Sequence, residues 1–370
     1  MNIQGDVMTT TKWQMFRFTV VYLTSQSSMF LIPGLLSTSG YQGWIAIIAG
    51  CAMGMIPLFF TIQVGKIKPG EAWVDFGKEI MGKWLHGAMV FLLLIWCVYF
   101  VSFDIENFVL FFGANYLRET PPLFVQIVIG LVIMYTAHLG FSTMVYMTDG
   151  LFLVFLFSTA LSYYLFIPNA DYSMLPALLH YHDPGIAFKD SITTMSWFGG
   201  WTVFLFVAPD LKIDNKMQKR LIVAAISVML TVLAAWLITI LNFGPHFGKE
   251  LQFPYLQLIQ SSSHDDLLGN SDPILIGLWS ASMFIHSAFL IYVAHKCALY
   301  LTKQKAKKVM IPFLTIGSIT IAYLYSLNLT QYNKNYNAFG TVIIWLIVEC
   351  IPVYYFIVAF IRSKISTASK

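Results

Sequence analysis

The stretch Phe18-Thr-Val-Val-Tyr-Leu23, Thr24-Ser-Gln-Ser-Ser28, Met29-Phe-Leu-Ile32, Pro33-Gly34 decides how the rest of the chain is read. From Phe16 to Ser39 the chain is long enough to cross a bilayer as one helix. Five polar residues nevertheless fall in succession at mid-depth, and Pro33 lacks the backbone donor of an unbroken helix. In hydrocarbon, loose backbone groups persist only where protein buries them or a cavity receives them. The polar break therefore marks a candidate binding site, with Thr24, Ser27 and Ser28 beside it. A second half-helix starting near Ser28 would aim its N–H groups and positive dipole end at an anion such as a carboxylate. The other reading is an ordinary helix whose hydroxyls bond back to its own carbonyls. The broken helix is preferred because transporter sites are built from discontinuous helices.

Working outward, hydrophobic residues make up 58% of the 370 and charged ones 11%, with a mean hydropathy of +0.70. No ordinary soluble domain has this balance. Apolar runs near 18 residues or longer recur throughout, which favours an all-α membrane protein over a barrel of alternating strands. No removable signal is expected, because Met1 to Thr11 is polar and the first apolar run is long. Cys51, Cys97, Cys297 and Cys350 lie in apolar segments without a CxxC, so they read as small buried hydrophobes.

Ten spans are expected, at about 13–36, 42–64, 84–113, 122–141, 145–167, 188–209, 218–243, 273–301, 309–329 and 337–361. With the N-terminus inside, only Arg118, Lys189, Lys249 and Lys334 of the 22 basic residues fall outside. That asymmetry predicts both termini in the cytoplasm. The charged inner loop 65–83 reads as a surface helix at the lipid headgroups, and Pro254 to Gln260 as a short amphipathic helix able to act as a lid.

Several polar residues lie within the spans. Asp104 and Glu106 occupy the outer part of the third, where a charge either faces a cavity or is interfacial. Tyr99 lies deeper. His286, with Trp279, Ser280, Ser282 and Ser287 in span eight, reads as a neutral histidine bonded to a neighbouring helix, the alternative being a proton relay. Asp149 reads as a helix N-terminal charge rather than a cation ligand. The sixth span carries Ser196-Trp197-Phe198-Gly199-Gly200-Trp201, where paired glycines weaken the helix and aromatics wall a small pocket. It falls about 170 residues after the first break. Two sets of five spans, approximately 12–168 and 187–363, each opening with an interrupted helix, are the pattern of an inverted repeat whose site lies where broken helices 1 and 6 meet.

Over its full length the chain resembles the B subunits of spore germinant receptors, the endospore germination permease family of the amino acid/polyamine/organocation superfamily. The resemblance rests on Gln14, on Ser28 to Leu35 with Ile32-Pro33-Gly34, on Glu119-Thr120-Pro121, on Ser196-Trp197-Phe198-Gly199-Gly200, and on Phe253-Pro254 ahead of Asp272 and Trp279. Where members carry an Arg-containing stretch before span eight, this chain has Gly269-Asn-Ser-Asp272. The resemblance implies a LeuT-like 5+5 fold in the spore inner membrane, an amino acid bound between spans one and six, and association with an A subunit and a lipoprotein C subunit.

The function expected is nutrient sensing, with a secondary amino acid transporter as the alternative. The ligand's carboxylate is placed over the N–H groups near Ser27 and Ser28, and its amine toward carbonyls by Trp197 and Phe198. Thr24, Gly199 and Gly200 complete the pocket, and Tyr99, Trp201 and Ser282 set selectivity. No nucleophile–base pair or metal set supports an enzyme. Neither a cofactor, a metal nor a nucleic acid is expected as a partner.

Overall fold

The computed structural model describes residues 10–180, 182–211, 215–262, 272–304, 307–336 and 339–368, and regular structure among them is helical. Gly269 to Ser271, in the stretch that departs from the family pattern, lie outside the described residues. Helix α1 (Lys12–Gln26) begins with a reciprocal cap. Thr11 Oγ1 accepts the Gln14 N–H at 3.2 Å and Gln14 Oε1 accepts the Thr11 N–H at 2.9 Å, satisfying two otherwise orphaned donors.

The first span does not unwind at its polar centre. It widens into a π-helix over Ser27–Leu31 and resumes as α2 (Ile32–Thr38). The hydroxyls of Thr24, Ser25 and Ser27 donate to the carbonyls of Val20, Tyr22 and Leu23 at 2.7, 2.7 and 2.9 Å, and the Ser27 N–H bonds to the Thr24 carbonyl. The expected break with free N–H groups near Ser27 is thus corrected. A wider turn absorbs Pro33, which has no N–H to give to the preceding turn, and hydroxyls stay on their own helix.

After α2 come α3 (Gly43–Gly65), α4 (Trp73–Met81), α5 (Lys83–Asn115), α6 (Pro122–Leu139) and α7 (Phe141–Phe166). The short α8 (Ala177–His180) leads to α9 (Pro184–Trp197), a 3-10 turn over Thr202–Phe206, and α10 (Ala208–Leu211). The remainder is α11 (Asn215–Gly248), α12 (Pro254–Ser262), α13 (Asp272–Leu301), α14 (Met310–Ser326), α15 (Leu329–Tyr336), α16 (Phe339–Glu349) and α17 (Ile351–Ala368).

Among the described residues seven segments are long and apolar enough to cross a membrane: Gly40–Gly65, Lys83–Asn115, Pro122–Leu139, Phe141–Asn169, Asn215–Gly248, Trp279–Leu301 and Val342–Ile365. They make the chain an integral membrane protein. The other three expected spans fall short for visible reasons. Segments 13–36 and 188–209 change their winding part-way, and α14 is a shorter apolar helix.

Helix α1 packs against α7, α11 and α13, while α3 lies along α9 and α5 along α13 and α14. Close approach of α3 to α9 depends on Gly50, where an added Cβ would meet the Thr194 side chain at 2.6 Å. Asp149, expected as a helix-end charge, instead ties α7 to α1 by accepting from Gln14 and Arg17, both at 3.0 Å. Helix α4 also differs from expectation. Its Trp73 is fully buried against His86, Phe206 and Tyr355, so its apolar face meets protein rather than lipid headgroups. The expected helix after Phe253 is α12, with Leu256 and Leu258 buried.

Contacts between connections sort the loops to two ends. Lys66 donates to Asn215 at 2.8 Å and Arg362 to the Glu79 carbonyl at 2.9 Å. At the other end Trp44 donates to the Leu178 carbonyl, and the Asp183 N–H to Gln42 at 2.7 Å.

Candidate functional site

Helix α9 starts at Asp183, whose carboxylate accepts the N–H groups of Gly185 and Ile186, and it ends where the paired glycines predict. Gly200 has φ +81°, a left-handed conformation that costs residues with a Cβ. Beyond it the chain runs through Trp201 into the 3-10 turn. Sequence reading of this interruption holds in outline, but the partner of its freed N–H groups was not foreseen.

That partner is Glu349, at the end of α16 and only 3% exposed. Its Oε2 accepts the Trp201 N–H at 3.0 Å, with the backbone N–H groups of Gly200 and Thr202 converging on the same carboxylate. Pro352 explains the adjoining contact. It cannot donate to the Val348 carbonyl four residues earlier, and that oxygen accepts the Thr202 hydroxyl at 3.1 Å instead. A carboxylate inside a span is costly and needs such partners. The one signal in the sequence was an acid within the apolar run 339–361.

Beside Glu349 lies a small cavity of about 30 Å³ walled by Tyr22, Trp96, Trp197, Gly199, Gly200, His286 and Trp345. That volume suits a water molecule. Three buried polar atoms on its lining residues have no partner: Glu349 Oε1, Trp96 Nε1 and Trp345 Nε1. The residues around the cavity thus carry one carboxylate oxygen and two indole N–H groups without partners. A second cavity, of about 630 Å³, shares Ser196, Trp197 and Trp345 with it and is also lined by Pro33, Thr38, Lys189, Asp190 and Lys249. The Trp197 and Trp345 rings meet edge to face with centroids 6.1 Å apart. On the other side Tyr22 stacks on His286 at 4.5 Å and packs with Phe18, Phe204 and Phe289.

Two other acids within the third span bond to neighbouring helices. Asp104, fully buried, accepts from the Ser287 hydroxyl at 2.6 Å and lies 3.0 Å from His286 Nδ1. This is the neighbouring-helix contact expected of His286, and it settles Asp104 as buried. Glu106 accepts from Gln126 at 2.9 Å.

Of the residues singled out from the sequence, Trp197, Gly199 and Gly200 line the small cavity. Thr24 and Ser27 turn back onto their own helix. The side chain of Ser28 lies outside the described residues. Tyr99 accepts from Tyr325 at 2.8 Å, and Ser282 donates to the Trp279 carbonyl at 2.7 Å. Phe198 packs its backbone against Gly54, and Trp201 contributes its N–H while its ring packs on Phe204. None of these last four lines the cavity. Among the described residues no group of three or more His, Cys, Asp or Glu could hold a metal ion.

Comparison with known proteins places this geometry in context. The profile of a family described as "Spore germination protein" matches residues 9–335. The chain is 24% identical over 300 residues to spore germination protein XB of Bacillus anthracis, covering 80% of this chain and 82% of that one. It is 22% identical over 350 residues to spore germination protein KB of Bacillus subtilis (strain 168), covering 93% of each. Among solved structures, the substrate-bound outward-open state of a Na+-coupled sialic acid symporter superimposes with a TM-score of 0.59 at 14% identity, covering 85% of this chain and 75% of that one.

Proposed function

The chain belongs to the spore germination protein family, and from that premise we propose that it is the nutrient-sensing subunit of a spore germinant receptor. The ligand is a small zwitterion, an amino acid or similar nutrient, bound at the cavity beside Gly199 and Gly200. The observation that carries this reading is that three residues around one small cavity, Glu349, Trp96 and Trp345, each keep a buried polar atom without a partner. Glu349 Oε1 receives the ligand's ammonium, and the indole N–H groups of Trp96 and Trp345 receive its carboxylate. A buried polar atom without a hydrogen-bond partner is costly, so a ligand that pairs these three is favoured.

An amino acid exceeds the present cavity, so binding moves the Trp197–Trp345 partition and joins the two cavities. Lys189 and Lys249 in the larger one attract the carboxylate on entry. Because Trp345 and Glu349 both sit on α16, the ligand favours a conformation in which α16 swings at Cys350. Binding energy thereby becomes a population shift. The A and C subunits read that shift. The spans form a ten-helix, 5+5 inverted repeat with the site between its two interrupted helices, in the spore inner membrane, with both termini cytoplasmic. Clustering of the predicted inner cations Lys12, Lys216, Lys219 and Arg220 around one cavity supports that orientation.

The symporter-like fold favours a second reading, a secondary amino acid transporter using the same cavity. Purified protein in liposomes separates them: concentrative uptake of a labelled amino acid without partner subunits overturns the receptor reading. Equilibrium binding of a labelled amino acid panel to the assembled receptor tests the site. Unchanged binding in both Glu349→Gln and Trp345→Phe variants rejects it.

A further inference from the structure

A third cavity, of about 860 Å³, lies at the end of α13 remote from the Lys189 and Lys249 cavity. Its wall is assembled from five segments: the start of α4, the α6–α7 junction, the end of the 3-10 turn at Phe206, the last turns of α13, and the turn leading into α14. Lys296, Lys303, Lys307 and Lys308 line it together with His138 and His295, against a single acid, Asp75. Among the described residues none of these four lysines is in an ion pair. Lys296 lies over the Tyr292 ring at 5.3 Å.

Two features separate this arrangement from an ordinary run of loop lysines. His295 is only 8% exposed, lines the cavity, and its Nδ1 has no hydrogen-bond partner. A buried imidazole nitrogen left unpaired beside a cationic cavity calls for an external group. In addition, Lys303 and Gln304 both adopt positive φ, +52° and +64°, turning the chain back so that the Gln304 N–H reaches the Leu299 carbonyl at 2.8 Å. This fold-back sets Lys303 on the same wall as Lys307 and Lys308. The lining also includes apolar side chains, Val74, Phe206, Leu299 and Ile311.

We propose that this cavity binds a phosphate-bearing anion, with lysine ammonium groups around the phosphate oxygens and the His295 imidazole donating to one of them. Several times larger than a phosphate and half apolar, the cavity favours the headgroup of an anionic phospholipid, the occupant that basic pockets between membrane helices take. The site shares no lining residue with the germinant cavity, so it stands or falls independently of the nutrient reading.

The test uses the full-length protein in nanodiscs of phosphatidylcholine, with or without phosphatidylglycerol, reading thermal unfolding and lipid retention by native mass spectrometry. Phosphatidylglycerol is expected to stabilise the wild type and to be retained selectively. In the Lys303→Gln/Lys307→Gln/Lys308→Gln variant retention should weaken about a hundred-fold, since each lysine near an anionic headgroup contributes about a factor of five. His295→Asn, made alone, should weaken retention without unfolding the chain. Lys216→Gln/Lys219→Gln, on the other basic cavity, should leave it unchanged. If inorganic phosphate or glycerol 3-phosphate protects the wild type equally in phosphatidylcholine discs, the occupant is a soluble phosphate at the same site. If the triple variant responds to phosphatidylglycerol as the wild type does, or the Lys216/Lys219 variant loses as much, the attraction is generic to a basic surface and the proposal is overturned.

Discussion

Glu349 is the residue on which the site turns. One of its oxygens is held by the backbone N–H of Trp201 and the other has no partner, so a single side chain both closes the broken helix and lies beside the cavity. Glu349→Gln keeps an oxygen for the Trp201 N–H but removes the charge. Hydrogen bonds to charged groups are worth roughly 1.5–3 kcal/mol, so the nutrient concentration for half-maximal germination should rise about ten- to hundred-fold at unchanged protein level. An unaltered dose response places the ammonium elsewhere. The two glycines give a sharper contrast. Gly200→Ala puts a Cβ at positive φ and 3.2 Å from the Tyr22 hydroxyl, which should destabilise the protein by about 1–2 kcal/mol. At Gly199 the nearest atoms are at 3.4 Å and no positive φ is required, so Gly199→Ala should be close to neutral. Thermal unfolding of the two variants in detergent reads the difference, and equal losses would contradict the assigned backbone. The Gly–Gly interruption was legible because glycine's backbone preference is local. Glu349, Trp96 and Trp345 were not, since which atoms an intramembrane acid or indole meets depends on helices far away in sequence.

At the scale of elements, the two interrupted spans achieve their breaks differently. The first keeps its helical path and changes pitch over Ser27–Leu31, because its hydroxyls satisfy carbonyls within reach. The sixth has no such hydroxyls at Gly199-Gly200, so its loose N–H groups must be met from another helix, and α16 meets them. Pro352 keeps the Val348 carbonyl available to Thr202. Pro352→Ala supplies the missing N–H and should straighten the α16–α17 joint. Thermal stability should then rise while the nutrient response falls, measured on spores with matched receptor abundance, and a response as strong as wild type argues against a swing at Cys350. Packing of α3 on α9 gives another expectation. Gly50→Leu drives a side chain into Thr194 and the Met195 backbone, and overpacking of this kind costs about 1–3 kcal/mol. Gly113→Leu, with open space around it, serves as the control in the same unfolding measurement.

For the whole molecule, the distribution of lysine and arginine predicts the orientation proposed above. Single cysteines introduced at Lys364 and Lys66 should react with a membrane-impermeant thiol reagent only from the cytoplasmic side. Cysteines at Asp183 and Lys249 should react only from the other. Of the native thiols Cys51, Cys97 and Cys297 are buried, and Cys350, which is half-buried, is replaced by alanine in the background for these variants. Labelling of Lys364 and Lys249 positions from one side would dismantle the ten-span proposal. The Phe141–Asn169 span has only 17% of its apolar window buried, so most of its surface is available to lipid or to partner subunits.

What the sequence determined by itself were the properties set by contact with lipid. Apolar length picks out the seven membrane-long helices, and Pro33 and Gly199-Gly200 disturb the winding of their segments, because each follows from a residue's own chemistry against hydrocarbon. Only the tertiary structure decided where polar atoms found partners. Asp104 met His286 and Ser287, and Glu349 crossed 148 positions to reach Trp201. In a medium without water every polar group must be paired by protein, and the pairing is settled by which helices pack side by side, which no local stretch of sequence contains.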